Sequence, residues 1–298
     1  MSMSWVPFAM ILPIFAAAMP LINEYTKANP VYLVIFYRIV SIFLFLPVVF
    51  FAPLPTDPYF YLFVSLAGLI ALYFDTMFFS SASTAGAGVT SRVMPFVVLG
   101  GFVLWLFVRP SLFFEYLESP LKSTGILTAF VMASYFALRL KSCPVSRRTI
   151  RLLLPAIILG SFVVVLGKLA MEHAGPTHGP FYYVLVQSIL ILPIYVIAVN
   201  LKPLKRFLPQ GYETRFFSKS MVIAGLSMAM AWSGLMVVKY YGYSLAVNPA
   251  YVSLFELMSP VLISGFYILQ KQKEEADVLS GYGIICSVLL LVLCTEIL

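Results

Sequence analysis

Long apolar runs alternate along this chain with short clusters of charge and proline. Cut at those clusters, the sequence yields ten apolar segments, at roughly 5–23, 31–53, 57–79, 85–108, 123–140, 150–171, 179–200, 220–241, 247–270 and 278–297. A helix of about 20 apolar residues crosses a hydrocarbon core of about 30 Å. Each segment therefore reads as a crossing, the fifth being the shortest and the least tilted. The first run begins almost at Met1 and lacks a basic leader, so it reads as a retained span rather than a cleaved signal. Between the fourth and fifth segments, 110–120 mixes aromatics with paired acids, the pattern of a short helix lying at the interface. The basic, aromatic stretch 202–219 suits a headgroup-level anchor. The expected fold is an all-α membrane protein with ten transmembrane helices.

The polar positions inside the apolar runs organise the rest. Val247–Gln270 has 24 residues with one formal charge, Glu256, and Pro260 four residues later. Pro260 has no N–H to give the carbonyl of Glu256, so a free carbonyl and a carboxylate share one level of an apolar span. Ala85–Val108 has the same length, one charge (Arg92) and Pro95, with Gly101-Phe102 placed after it much as Gly265-Phe266 follows Pro260. One helix carries a base and the other an acid, and an intramembrane charge faces a cavity or a partner.

This pairing belongs to a wider internal repeat. The first two spans contain PLINEYTKANPVYLVIFYR and SIFLFLP, and the sixth and seventh contain GKLAMEHAGPTHGPFYYVLVQ and SILILP. The third and fourth spans correspond to the eighth and ninth, and the fifth to the tenth. Two five-helix units, 1–145 and 146–298, are expected. Because five is odd the second is upside down, an arrangement that places a binding site between the halves near the midplane.

Composition agrees with the pattern. Of 298 residues, 61% are hydrophobic and 10% charged, against about 25% charged in soluble domains. The net charge of +7 is gathered in loops, as anionic lipid favours, and is not read as nucleic-acid affinity. Of the 19 lysines and arginines, thirteen fall in the loops after spans one, five, seven and nine, and only Arg109 and Lys122 fall on the other side. The positive-inside rule then leaves both termini outside the cytoplasm. Cys143, Cys286 and Cys294 form no C-x-x-C motif and suggest neither a disulfide framework nor a zinc site.

Six ionisable residues fall within the spans: Arg38, Asp75, Arg92, Lys168, Lys239 and Glu256, with Gln187 as a further polar candidate. A dehydrated solute needs convergent groups of this kind. Arg38, Arg92, Glu256, Gln187, Lys239 and Tyr251 are the candidate substrate-binding residues, and Glu256 and Asp75 the candidate proton carriers. Lys168, Lys239 and Asp75 lie close to span ends, where the two lysines are read as snorkelling to water. His173 and His178, with Glu172, lack a helical metal spacing, and no metal or cofactor is expected. Without a Walker A loop, H-E-x-x-H or G-x-S-x-G, neither an ATP-driven pump nor an ordinary hydrolase is indicated.

Phe36-Tyr-Arg-Ile-Val-Ser-Ile-Phe-Leu-Phe-Leu-Pro47, the stretch Tyr241–Pro260 and Gly281-Tyr-Gly, set in a ten-span layout, resemble the drug/metabolite transporter superfamily of EamA type. Where such proteins usually carry a glutamate after the fourth span, this chain has Arg109-Pro110; Glu274 or Glu275 matches the one after the ninth. The resemblance implies a secondary transporter rather than an enzyme, in a prokaryotic cell (inner) membrane, with both termini inside, against the charge count. Its cargo is expected to be a small polar metabolite, an amino acid or related carboxylate, moved outward by alternating access. Four bases and two acids within the spans suit a zwitterion or an anion. The alternatives are an exchanger of phosphorylated or nucleotide-linked metabolites and a lipid-headgroup flippase subunit.

Overall fold

Several helices begin at the same two-residue signal. In Asn29-Pro30, Asp57-Pro58 and Asn248-Pro249 the first side chain accepts from the backbone N–H of Val31, Tyr59 and Ala250, at 3.0, 2.9 and 2.9 Å. The proline then takes the first helical position, where no N–H is needed. A computed structural model of the chain describes residues 4–91, 94–140, 147–174, 178–200, 216–271 and 277–297, and no strand occurs among them.

The helices are α1 (Val6–Thr26), α2 (Pro30–Phe45), α3 (Pro58–Ala85), α4 (Ala87–Ser91), α5 (Met94–Val108), α6 (Pro110–Glu118) and α7 (Pro120–Arg139). They are followed by α8 (Arg147–Glu172), α9 (Gly179–Asn200), α10 (Lys219–Leu245), α11 (Pro249–Leu254), α12 (Ser259–Leu269) and α13 (Val278–Val292). Among the described residues nine helical stretches are long and apolar enough to cross a membrane. The tenth expected crossing falls on α4 and α5; α5 alone has 15 residues, short of a full span. After α5 the chain bends by 100° into α6, the short helix expected at the interface. It exposes Phe113, Phe114 and Leu117 while Leu112 packs with Trp105 and Val165.

Apolar side chains such as Phe50, Phe51 and Leu269 stand on the outside, and Arg38, Asp75, Lys168 and Glu256 lie inside. That distribution is the inverse of a soluble domain and fits a lipid surround. The chain is an integral membrane protein. The thirteen bases that the sequence assigns to the loops after spans one, five, seven and nine give an expected labelling result. In a cysteine-free background, Ser4→Cys reacts with an impermeant maleimide in intact cells, and Phe217→Cys reacts only after permeabilisation. The reverse pattern would place the termini in the cytoplasm.

Inside the bundle α1 lies along α10 and α3 along α8; α2 packs on α9 and α10, and α7 on α13. Helix α5 approaches α8 closely because Gly100 and Gly101 leave room. A Cβ at those positions would come within 2.2 Å of Ser161 Oγ and 2.8 Å of Val164 Cγ1. Gly265, matched with Gly101 by sequence, has nothing within 4 Å of its Cβ position, so the two glycines differ in packing role. The ninth crossing is broken. Residues Phe255–Met258 form a 3₁₀ turn between α11 and α12, in which the Ser259 N–H bonds the Glu256 carbonyl. The carbonyl expected to be free is thus satisfied one residue before Pro260, whose N–H is missing.

Candidate functional site

Arg38 on α2 is almost wholly buried, which requires that its charge and donors be met inside the bundle. Its Nη2 lies 3.2 Å from Asp75 Oδ2 on α3, and its Nη1 donates to Gln187 Oε1 on α9 at 2.7 Å. The Tyr37 hydroxyl also donates to Asp75 Oδ2, at 2.6 Å. The guanidinium Cζ stands 4.0 Å over the Trp232 ring of α10, a desolvated cation–π contact. Gln187 donates onward to the Tyr183 hydroxyl at 3.3 Å.

A second ion pair joins α10 to the broken ninth crossing. Lys239 Nζ is 2.7 Å from Glu256 Oε1, a direct buried ion pair. The ammonium thus supplies the counter-charge for the buried carboxylate. The Lys239 ammonium also lies 5.6 Å from the centroid of the Tyr243 ring, whose hydroxyl pairs with Ser253 at 2.6 Å. The 3₁₀ turn directs Glu256 inward at this level, as interrupted helices do at midplane sites.

Both pairs line one cavity. Arg38, Asp75, Gln187, Trp232, Lys239 and Glu256 share its wall with apolar residues from α1, α3, α5 and α8. Its volume is about 90 Å³, room for a few waters and well under the ~300–1,000 Å³ of ordinary small-molecule sites. A wider groove of about 620 Å³ between α1, α10 and α12 is lined almost wholly by apolar side chains, such as Ile14, Leu21 and Leu262, and offers a solute few polar partners.

Each end of the bundle near this cavity is tied by polar contacts. On one side Glu24, at the end of α1, accepts from the Ala87 amide of α4 at 2.7 Å and from the Tyr267 hydroxyl of α12. On the other, Glu172 at the end of α8 meets Arg109 after α5 at 2.6 Å. Lys168 of α8 donates to the Tyr243 carbonyl of α10 at 2.8 Å, and Trp105 donates to the Val247 carbonyl at 3.0 Å. No protein-family model and no curated protein matches this chain, so the functional reading rests on this geometry.

The structure brings Arg38, Asp75, Gln187, Lys239 and Glu256 together. Arg92 lies outside the described residues, as does most of the basic stretch 202–219. Tyr251 stands apart from the cavity. It is only three residues into α11, so it lies at the level of α6, where its hydroxyl pairs with that of Tyr116 and its ring lies 6.1 Å from that of Trp5. The snorkelling reading of the lysines is corrected. Lys168 and Lys239 are turned inward because acceptors lie within reach there: the Tyr243 carbonyl and Glu172 for one, Glu256 for the other. Asp75 is not near a span end either, since α3 continues to Ala85.

Sequence reasoning passed over Tyr37 and Trp232. Tryptophans that serve as interfacial anchors sit at span ends, and Trp232 is near the middle of α10; that placement was the available signal. His173 Nδ1 lies 2.6 Å from Asp57 Oδ2, and this hydrogen bond holds the Asp57 carboxyl below the usual aspartate range. Among the described residues no cluster of three His, Cys, Asp or Glu could hold a metal.

Proposed function

We propose that this chain is a secondary transporter of the drug/metabolite type, moving a small zwitterionic metabolite, an amino acid or related carboxylate, by alternating access. One observation carries the reading: two buried ion pairs, drawn from both halves of the chain, meet at a single narrow cavity deep in an apolar bundle. Keeping four charges there is costly unless they are used. Two bases and two acids among the described lining residues balance to zero, which matches a zwitterion and disfavours a multiply charged phosphate.

The packing supports an inverted repeat. Exchanging the halves maps the α1–α10 contact onto α3–α8 and leaves the α2–α9 and α7–α13 contacts on themselves. The end contacts follow the same exchange. The end of α1 holds the start of the fourth crossing and the end of the ninth, and the end of α8 holds the regions around the start of the ninth and the end of the fourth. Releasing the Glu24 contacts while keeping those of Glu172, and then the reverse, would open the cavity to each side in turn and widen it for a solute.

The test is counterflow in proteoliposomes holding the purified protein. Labelled amino acids are expected to enter saturably, and faster when the same unlabelled solute is inside. Movement of a fluorescent lipid headgroup with no entry of any zwitterion would replace this reading with a flippase.

A further inference from the structure

Two residues of the cavity wall, Trp232 and Arg38, each bury a donor with nothing to bond. Trp232 Nε1 and Arg38 Nε have no hydrogen-bond partner, although both residues are at most 1% exposed. The other two Arg38 nitrogens are occupied, Nη1 by Gln187 and Nη2 by Asp75. An indole N–H and a guanidinium only donate. No cation and no further donor can satisfy them, and a buried donor left unmet destabilises the fold that holds it. Their groups are stacked, with the guanidinium carbon 4.0 Å over the Trp232 ring, so one small acceptor-rich group could serve both. On the same cavity, the Glu256 carboxylate faces the Lys239 ammonium at 2.7 Å, the one acid of the second ion pair.

We infer that Arg38 and Trp232 form the subsite for the carboxylate end of the solute, with Glu256 facing its ammonium end. The inference rests on reading the cavity as the transport site, and it fixes the direction in which a zwitterion lies there. The carboxylate oxygens accept from Arg38 Nε and Trp232 Nε1, while Asp75 stays on Nη2 and holds the guanidinium in place. The ammonium group shares Glu256 with Lys239 or displaces it. Trp232 is a specificity-determining residue in this arrangement, because its N–H rewards an acceptor and nothing else.

The test uses the full chain in lipid nanodiscs with ¹⁵N-labelled indoles. The protein has 3 tryptophans, namely Trp5, Trp105 and Trp232, and single Trp→Phe variants assign their resonances. Acetate, small enough for the closed cavity, is the probe, and ethylammonium is its matched cation. Acetate is expected to shift the Trp232 indole N–H saturably while Trp5 and Trp105 stay still, and ethylammonium to leave all three unmoved. By calorimetric titration Trp232→Phe should weaken acetate binding by roughly tenfold, the loss of one charge-assisted hydrogen bond. No saturable shift with acetate, as when water alone fills the site, or an equal response to both ions would overturn the inference. If Trp232→Phe does not fold, the wild-type titration decides alone. An intact acetate shift in a protein that carries no zwitterion across proteoliposomes would sink the transport reading and leave the anion subsite standing.

Discussion

Glu256→Gln is expected to stop solute uptake and to lower stability by about 3–5 kcal/mol, because it leaves the Lys239 ammonium buried without its counter-charge. Lys239→Met should cost a similar amount by stranding the carboxylate. The double variant Lys239→Met/Glu256→Gln removes both charges, and a buried ion pair replaced in this way is often neutral or better for stability. Its stability should therefore return to near the wild-type value while transport remains lost. Thermal unfolding in detergent and counterflow in proteoliposomes read the two effects separately. Wild-type transport in the folded double variant would make the pair a packing device and nothing more. In that event the Glu256 carboxylate would have no part in holding the solute.

The second large effect falls on Arg38. Lysine keeps the charge at this position but cannot bond Asp75 and Gln187 from one planar fork while stacking on Trp232. At least one charge-assisted bond and much of the cation–π contact are lost, on the order of 3 kcal/mol. Arg38→Lys should then reduce solute affinity on the order of a hundredfold. Asp75→Asn should be harder on stability than on recognition, since it leaves the guanidinium uncompensated but its Nε edge in place. Gln187→Met removes one neutral acceptor and should cost about 1–2 kcal/mol. Near wild-type affinity in Arg38→Lys would reduce Arg38 to a point charge and remove the need for its fork.

These predictions turn on contacts that the linear sequence shows unevenly. Crossings could be counted because apolar length against bilayer thickness is a local property, and nine of the ten expected have a long apolar helix among the described residues. The short helix α6 was visible in its mixture of aromatics and acids, and the break at Phe255–Met258 in Pro260. The helix starts at Asn29-Pro30, Asp57-Pro58 and Asn248-Pro249 were equally open to reading. Depth was less secure. Ending the eighth crossing at 241 rather than at Leu245 moves Lys239 by about 6 Å, at 1.5 Å per residue, and turns a buried ion-pair partner into a snorkelling lysine. The same kind of error put Asp75 near an end it does not approach.

What the sequence determined by itself is that charges lie inside the membrane, and that each must have a partner or a cavity. The residues that carry that cost, Arg38, Asp75, Lys239 and Glu256, could be named because burying any of them is expensive wherever it occurs. Which of them meet was decided by tertiary structure alone. Lys239 and Glu256 meet from two crossings, and Arg38, Asp75, Gln187 and Trp232 from four. The reason is geometric: a pairing depends on the rotation and depth of two helices at once, and the apolar pattern of each fixes only that it spans. Trp232 and Tyr37 became part of the site through that packing, which turns one toward the guanidinium and the other toward its carboxylate.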